Sequence, residues 1–203
     1  MSREIPVRFC EGGGVRFPSA TRLVIVFSHE ADARRVMDVL PKRFGKYGLT
    51  LHPEKTRLVP FRRPPYGQRL KRDTRPGTFD LLGFTHYWGT AQKGYPLVRR
   101  KTARSRLRRA LKSISEWMRQ ARHWPIGEQH EALVRKLKGH DGYYGITGNG
   151  RSLDAFRHEV TRLWRYWLSR RSQRAGMRWE QFHAMEQRYA LPRSRVVHSV
   201  YRA

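Results

Sequence analysis

The residues that lead into the first predicted strand include no carboxylate that could bind a catalytic metal ion. The run Leu23–Phe27 is apolar and rich in β-branched and aromatic residues, which predicts a buried strand. Such strands in nucleotide-handling enzymes often end in carboxylates that bind divalent metal ions. The residues that lead into this strand are instead Ser19, Ala20, Thr21 and Arg22. From these residues alone the strand is either an active-site strand that has lost its metal ligands or a plain structural strand that never had any.

The net charge of the chain points to a nucleic acid partner. Its 203 residues include 43 Lys and Arg against 16 Asp and Glu, a formal net charge of +27. An excess of this size repels itself within a compact chain and predicts a polyanionic partner, most often a nucleic acid. Adhesion to an anionic membrane would instead require one strongly amphipathic surface helix. The aromatic residues are spread over several segments that are typical of a core, so we expect no membrane partner.

Cysteine content and hydropathy exclude several other classes of protein. The single cysteine, Cys10, excludes an internal disulfide and a cysteine-based zinc site, and it suits a reducing compartment. No apolar stretch approaches the ~20 residues of a membrane span, and the first residues lack the apolar core of a secretion signal. We therefore expect a cytoplasmic protein.

Periodicity divides the chain into a mixed part and a helical part, which predicts an α+β fold. The mixed part has the strand above, a helix over residues 29–47, short strands over 49–51 and 56–61, and a hairpin of 79–88 with 95–99. Helices are then predicted over residues 102–122, 127–138, 153–174 and 178–188. The domains expected are an irregular N-terminus (1–18), a partial α/β domain (19–99), a helical domain (100–190) and a tail (191–203).

The helical part concentrates arginine. Residues 98–175 contain 20 Lys and Arg against six Asp and Glu. A guanidinium group binds phosphate as a planar fork and stacks on bases, so this bias suits RNA better than a merely solvated charged face does. The first predicted helix has an apolar stripe made of Leu107, Leu111, Ile114 and Met118. Basic residues off such a stripe face solvent. We predict RNA contacts by Arg100, Lys101, Arg104, Arg108, Arg109, Lys112, Arg162, Arg165, Arg170 and Arg171.

Two tyrosines between glycines form a further candidate contact. Tyr143 and Tyr144 lie between Gly142 and Gly145. Such rings can stack on unpaired bases, although aromatic pairs more often pack between helices. Both interpretations stay open from the sequence.

Six motifs of this chain are similar to those of a known family: GLTLHPEKTRLVPF (48–61), FDLLGF (79–84), GHDGYYGITGN (139–149), SLDAFRHEVTRLWRYWLSRRSQ (152–173), RWEQF (178–182) and LPRSRVVHS (191–199). Together they resemble the proteins encoded by group II introns, which are reverse transcriptases joined to a maturase, or thumb, domain. They occur in the order found in that family, and the resemblance extends over about residues 23–199. The resemblance implies the end of a polymerase palm followed by a helical thumb.

The resemblance also implies that the polymerase site has been lost. The family has a Tyr-Ala-Asp-Asp turn, whose aspartates bind the catalytic metals, where this chain has residues 19–22. Lys55 matches a lysine of that family that is thought to protonate the departing pyrophosphate. The resemblance implies that this lysine is vestigial here; the alternative is that Lys55 is an ordinary solvated turn residue. Leu82, Gly83 and Phe84 match the hairpin that grips the primer; alternatively, Gly83 marks a bulge in a packed hairpin.

The expected function is therefore RNA binding by a maturase-type protein. By resemblance its partner is structured group II intron RNA, whose splicing it would assist, with DNA as a further partner and the bacterial cytoplasm or nucleoid as its location. No cofactor is expected; Mg²⁺ would enter only with a separate chain carrying fingers and palm. One alternative is the thumb subunit of a split RNA-directed DNA polymerase. The other is a decayed gene fragment without function, because a hairpin and one crossover leave sheet edges uncovered.

Overall fold

The computed structural model describes residues 5–9, 23–52, 56–66, 76–172 and 176–199, with the backbone alone for residues 5–9 and Leu23. It has mixed α/β structure and divides into two compact units, Met1–Arg100 (the N-terminal unit) and Lys101–Ala203 (the helical unit). The candidate positions Ser19, Ala20, Thr21, Arg22 and Lys55 lie outside the described residues.

The N-terminal unit contains an antiparallel sheet of three strands in the order β2-β1-β3. These strands are β1 (Ile5–Phe9), β2 (Leu23–Phe27) and β3 (Arg57–Leu58). The predicted strand at Leu23–Phe27 is confirmed, whereas β1 corrects our expectation that residues 1–18 are irregular. A five-residue strand that pairs with distant segments on both sides is stabilised by those segments, and local periodicity does not show this.

Helix α1 (Glu30–Gly45) follows β2 and packs on this sheet. It begins after His29, and the acidic residues Glu30 and Asp32 stabilise the positive end of its dipole. Ala33 is fully buried against Ile25 and Phe27 of β2. Since Ala33 is the only buried residue of the helix, most of α1 remains exposed.

A second three-stranded sheet has the order β4-β5-β6, and it corrects one prediction. Its strands are β4 (Phe79–Leu81), β5 (Phe84–Thr90) and β6 (Pro96–Thr102). Residues 79–88 were expected to form one strand, but β4 and β5 are antiparallel and pair Leu81 with Phe84. The two residues between them, Leu82 and Gly83, have φ of 48° and 82°, as a two-residue hairpin turn of type I′ requires. Gly83 is therefore in a turn and not in a bulge.

Four helices form the helical unit. They are α2 (Arg104–Ala121), α3 (Ile126–Tyr144), α4 (Gly150–Leu168) and α5 (Trp179–Arg188). Helix α3 continues six residues beyond its predicted end because Gly139 and Gly142 do not break it. Helix α4 begins and ends earlier than predicted. Their core is built around the fully buried Trp164, Val160 and Phe182.

A buried glutamine joins three parts of this core. Gln129 on α3 donates from Nε2 to the carbonyls of Ala121 (2.9 Å) and Trp124 (3.0 Å), which lie at the end of α2. Its Oε1 accepts a hydrogen bond from Trp164 Nε1 on α4 at 2.9 Å. The Gln129 side chain thus bonds to carbonyls at the end of α2 and just after it, and the Ala121 carbonyl also accepts from the Trp124 backbone N–H. Within the described residues, no helix has both the length and the hydropathy needed to cross a membrane.

Candidate nucleic-acid interface

The outward face of α2 presents a row of basic side chains. Arg104, Arg108 and Lys112 follow one another at four-residue spacing, so they share one side of the helix, and Arg109 lies beside them. All four are exposed. The opposite side carries Ile114 and Met118 into the core, as the sequence predicted.

This row is short of acidic partners. Lys112 has one, because its Nζ lies 3.8 Å from Glu116 Oε1 in an exposed pair. Among the described residues, no ion pair involves Arg104, Arg108 or Arg109. Their guanidinium groups are therefore available to phosphate oxygens, which they can bind with two parallel hydrogen bonds. Arg100 and Lys101 are exposed on β6, directly before this helix.

Tyr143 and Tyr144 lie on the last turn of α3 and differ in exposure. Tyr143 is 53% exposed, whereas Tyr144 is half-buried. Their rings meet edge to face with centroids 4.8 Å apart. Burial raises the pKa of the Tyr144 phenol, and the positive charges of Arg106 and Arg109 oppose that shift. Two arginines of α2 are thus electrostatic neighbours of this tyrosine, and the exposed ring is that of Tyr143.

Asn149 fixes the corner at which α3 ends and α4 begins (residues 143–149, the Tyr143 corner). No sequence pattern singles this residue out. It is 1% exposed, and its Oδ1 accepts a hydrogen bond from the Thr102 backbone N–H at 2.9 Å. Its Nδ2 donates to Thr102 Oγ1 (2.9 Å) and to the Tyr144 carbonyl (2.8 Å). The end of β6 and the end of α3 are therefore held together just where α2 begins.

The predicted contacts on α4 and on the residues that directly follow it fall into two groups. Arg162 and Arg170 are exposed, and both already have a neighbour: Arg162 lies 3.0 Å from Glu159 Oε1, and Arg170 lies over the ring of Tyr166 at 3.7 Å. Tyr166 is 43% exposed, so the stacked pair faces solvent. An arginine on an aromatic ring keeps its edge donors free for phosphate.

Arg165 and Arg171 instead hold the helical unit together. Arg165 donates to the Met177 carbonyl at 2.9 Å and lies 4.0 Å from the ring centroid of Trp179, so it joins α4 to the start of α5. Arg171 donates to the carbonyls of Arg122 and Trp124. Burial lowers the pKa of the Arg171 guanidinium. The sequence could not separate these two arginines from their exposed neighbours, because their carbonyl partners are distant along the chain.

His140 and Asp141 are adjacent on α3, and each contacts a different part of the helical unit. The His140 ring is stacked on Phe156 with centroids 3.8 Å apart, and burial lowers its pKa. Asp141 accepts a hydrogen bond from the backbone N–H of Arg195 at 3.0 Å. The pair is part of the packing of α3. No group of His, Cys, Asp and Glu in the described part of the chain could hold a metal ion.

In the N-terminal unit, the hairpin that matches the primer grip places its three residues differently. Leu82 is 66% exposed at the tip of the turn, whereas Gly83 and Phe84 are buried. Phe61 lies nearby in the core of this unit, with its ring between those of Phe79 and Trp88. The tip therefore offers one exposed apolar side chain on a rigid support.

The buried role of Gln129 has a signal in the sequence. Gln129, Leu133 and Leu137 follow one another at four-residue spacing, and all three are buried. A polar residue in such a stripe indicates a buried hydrogen-bond network.

Comparison with known proteins adds no identity: no protein-family model matches the chain, and no curated protein matches it.

Proposed function

We propose that this chain binds structured RNA, with the exposed face of α2 and the Tyr143 corner as the contact surface. The observation that carries the proposal is the set of three exposed arginines on α2, Arg104, Arg108 and Arg109, without acidic partners among the described residues. They lie in a region where Lys and Arg outnumber Asp and Glu 20 to six. Arginines bind the phosphates, and an exposed tyrosine can stack on an unpaired base.

The kind of RNA follows from the resemblance to group II intron proteins. We propose that the chain is the end of a palm and the thumb of a maturase, that it binds intron RNA and assists splicing, and that DNA is a secondary partner. It would act in the bacterial cytoplasm or nucleoid and without a cofactor of its own. The resemblance of residues 139–149 and 152–173 supports this identification, since those residues build the corner and the helix described above.

A second candidate is the thumb subunit of a split reverse transcriptase. Apolar side chains exposed on the N-terminal unit favour it: Val26 is 52% exposed, Val39 47% and Leu49 53%. A separate chain carrying fingers and palm would cover them and would bring the Mg²⁺ ligands that this chain lacks.

The RNA-binding proposal is tested by removing three charges from α2. We expect Arg104→Gln/Arg108→Gln/Arg109→Gln to weaken binding of a folded intron-domain transcript by roughly tenfold or more at physiological salt. The slope of log affinity against log salt should become shallower by about two to three, because each lost phosphate contact removes about one counterion.

The control removes equal charge elsewhere. Lys42, Arg43 and Lys46 are exposed at the end of α1, and replacing all three with Gln lowers the net charge by the same amount. If both triple variants lose the same affinity, binding follows net charge and the α2 surface is not the site. A wild-type affinity that does not change with salt would exclude phosphate contacts altogether.

A further inference from the structure

The segment after α5, residues 191–199 (the tail), is held in place along its length although it forms no helix. At its start, Leu191 is 3% exposed and belongs to the core of the helical unit. Arg157 of α4 donates to the carbonyls of Pro192 (2.9 Å) and Leu191 (3.2 Å). Ser194 Oγ donates to Asp154 Oδ1, also on α4. Two charged side chains of α4, Arg157 and Asp154, therefore fix the path of the tail.

The second half of the tail is attached to the corner between α3 and α4. The backbone N–H of Arg195 donates to Asp141 Oδ2, and those of Val197 and His198 donate to the Gly145 carbonyl at 2.7 and 2.8 Å. The Thr147 N–H donates to the His198 carbonyl at 3.2 Å. The tail thus lies against the residues that directly follow Tyr143 and Tyr144.

Gly145 permits this close approach. A Cβ atom at this position would lie 2.6 Å from the Arg195 carbonyl oxygen and 3.1 Å from the Val197 nitrogen, and it would also clash with the Asp141 carbonyl. Its φ of −75° is open to any residue, so the need for glycine here is steric. Gly142, one turn earlier on α3, has open space at the same position.

The tail presents two arginines outward from this fixed backbone. Arg193 and Arg195 are exposed, while the residues that follow each of them, Ser194 and Val196, are partly covered, as expected for an extended chain with a period of two. The carboxylates beside the tail, Asp141 and Asp154, are occupied by the Arg195 N–H and the Ser194 hydroxyl. Among the described residues, neither Arg193 nor Arg195 forms an ion pair.

We propose that the docked tail is a second strip of the RNA-binding surface, in which Arg193 and Arg195 bind phosphates next to the Tyr143 corner. This inference rests on the proposed function. Because the tail backbone is already fixed, little conformational entropy is lost when these arginines bind, which favours affinity over that of a flexible basic tail.

The test uses the full chain and a labelled RNA hairpin with an unpaired loop. We expect Arg193→Gln/Arg195→Gln to lower affinity several-fold and to reduce the salt slope by about two. The charge-matched control is Arg135→Gln/Lys138→Gln, which removes two exposed charges from α3 and should change the slope less. Gly145→Ala keeps every charge but displaces the tail from the end of α3, with whose Asp141 carbonyl the new Cβ also clashes, so it should weaken binding as well. Gly142→Ala should bind like the wild type.

The outcomes separate this inference from the proposed function. If the wild type binds the hairpin with a steep salt slope but Arg193→Gln/Arg195→Gln binds equally well, or no worse than the α3 control, the role of the tail is refuted and RNA binding stands. If the wild type does not bind, both proposals fail. The double variant alone decides the matter should Gly145→Ala not fold.

Discussion

At the scale of single residues, buried polar side chains determine how the helical unit is joined. Gln129 and Asn149 are 2% and 1% exposed, and each bonds to segments that are distant along the chain. Removal of such a side chain leaves several buried donors and acceptors without partners, and each of these groups destabilises the fold. Substitution of either residue is therefore expected to destabilise the helical unit.

Replacing Gln129 with methionine tests this sensitivity. Methionine nearly preserves the volume but cannot satisfy the carbonyls of Ala121 and Trp124 or the indole N–H of Trp164. We expect a loss of about 2–4 kcal/mol in the free energy of unfolding, measured by urea titration. Gln120→Met, at an exposed position of α2, is the matched control and should change stability by less than about 0.5 kcal/mol. Equal effects of the two variants would contradict the role of the network.

His140 makes stability depend on pH. Burial lowers its pKa from 6.5, while the Asp141 carboxylate, 3.7 Å from Nδ1, opposes the shift. The unfolded chain takes up a proton on His140 as the pH falls through about 6.5, whereas the folded chain resists this protonation. The contribution of neutral His140 to the free energy of unfolding is therefore complete above that pH and is lost progressively below it. The urea concentration at the midpoint of unfolding should therefore decrease as the pH is lowered from about 7.5 to about 5.

The variant His140→Phe should weaken this pH dependence. A phenyl ring can keep the stacking on Phe156, and neither ring nitrogen of His140 has a hydrogen-bond partner among the described residues. The same drop in the variant as in the wild type would show that other groups cause it.

At the scale of elements, the hairpin of β4 and β5 carries a strained turn. Leu82 has φ of 48°, a conformation that is disfavoured for residues other than glycine, asparagine and aspartate. The strained residue is also the exposed tip of the hairpin. Retained strain of this kind motivates a functional hypothesis, here contact of the Leu82 side chain with nucleic acid.

Substitution of the two turn residues should have opposite effects. Asparagine followed by glycine is the preferred sequence of this turn, so Leu82→Asn should stabilise the hairpin by about 1 kcal/mol. Gly83→Ala should destabilise it by a similar amount, because φ is 82° there. Hydrogen exchange of the β4 and β5 amides measures both. Faster amide exchange in Leu82→Asn than in the wild type would contradict the claim that Leu82 is strained at this position.

Elements were predictable from the sequence where one face is buried. The stripe of α2 placed its arginines correctly because helical periodicity alone separates the two sides. The turn at Leu82 was missed because leucine is not a turn-forming residue. The structural roles of Arg165 and Arg171 were missed because they depend on carbonyls in other elements. The docking of the tail was missed for the same reason.

At the scale of the whole molecule, charge is abundant and acidic pairs are missing. A chain with a net charge of +27 can attract a polynucleotide from a distance, but two-metal polymerisation requires carboxylates that hold both ions. The resemblance to group II intron proteins implies that Ser19, Ala20, Thr21 and Arg22 stand where that family has its metal-binding turn. The chain is therefore proposed to bind RNA without copying it.

Primer extension checks this proposal. We expect no product from the isolated chain with template, primer and Mg²⁺, while an active reverse transcriptase in a parallel reaction shows that the assay works. Extension by the isolated chain would overturn the proposal of binding alone. Extension that appears only after a separate palm-bearing chain is added would favour the split polymerase.

The division into two units affects how unfolding must be followed. Of the six tryptophans, Trp88 alone lies in the N-terminal unit, so intrinsic fluorescence reports mainly on the helical unit. A single sigmoidal emission curve would therefore be obtained even if the strands of the other unit melted at a different denaturant concentration. Agreement between fluorescence and far-ultraviolet circular dichroism is required before one unfolding free energy is assigned to the chain.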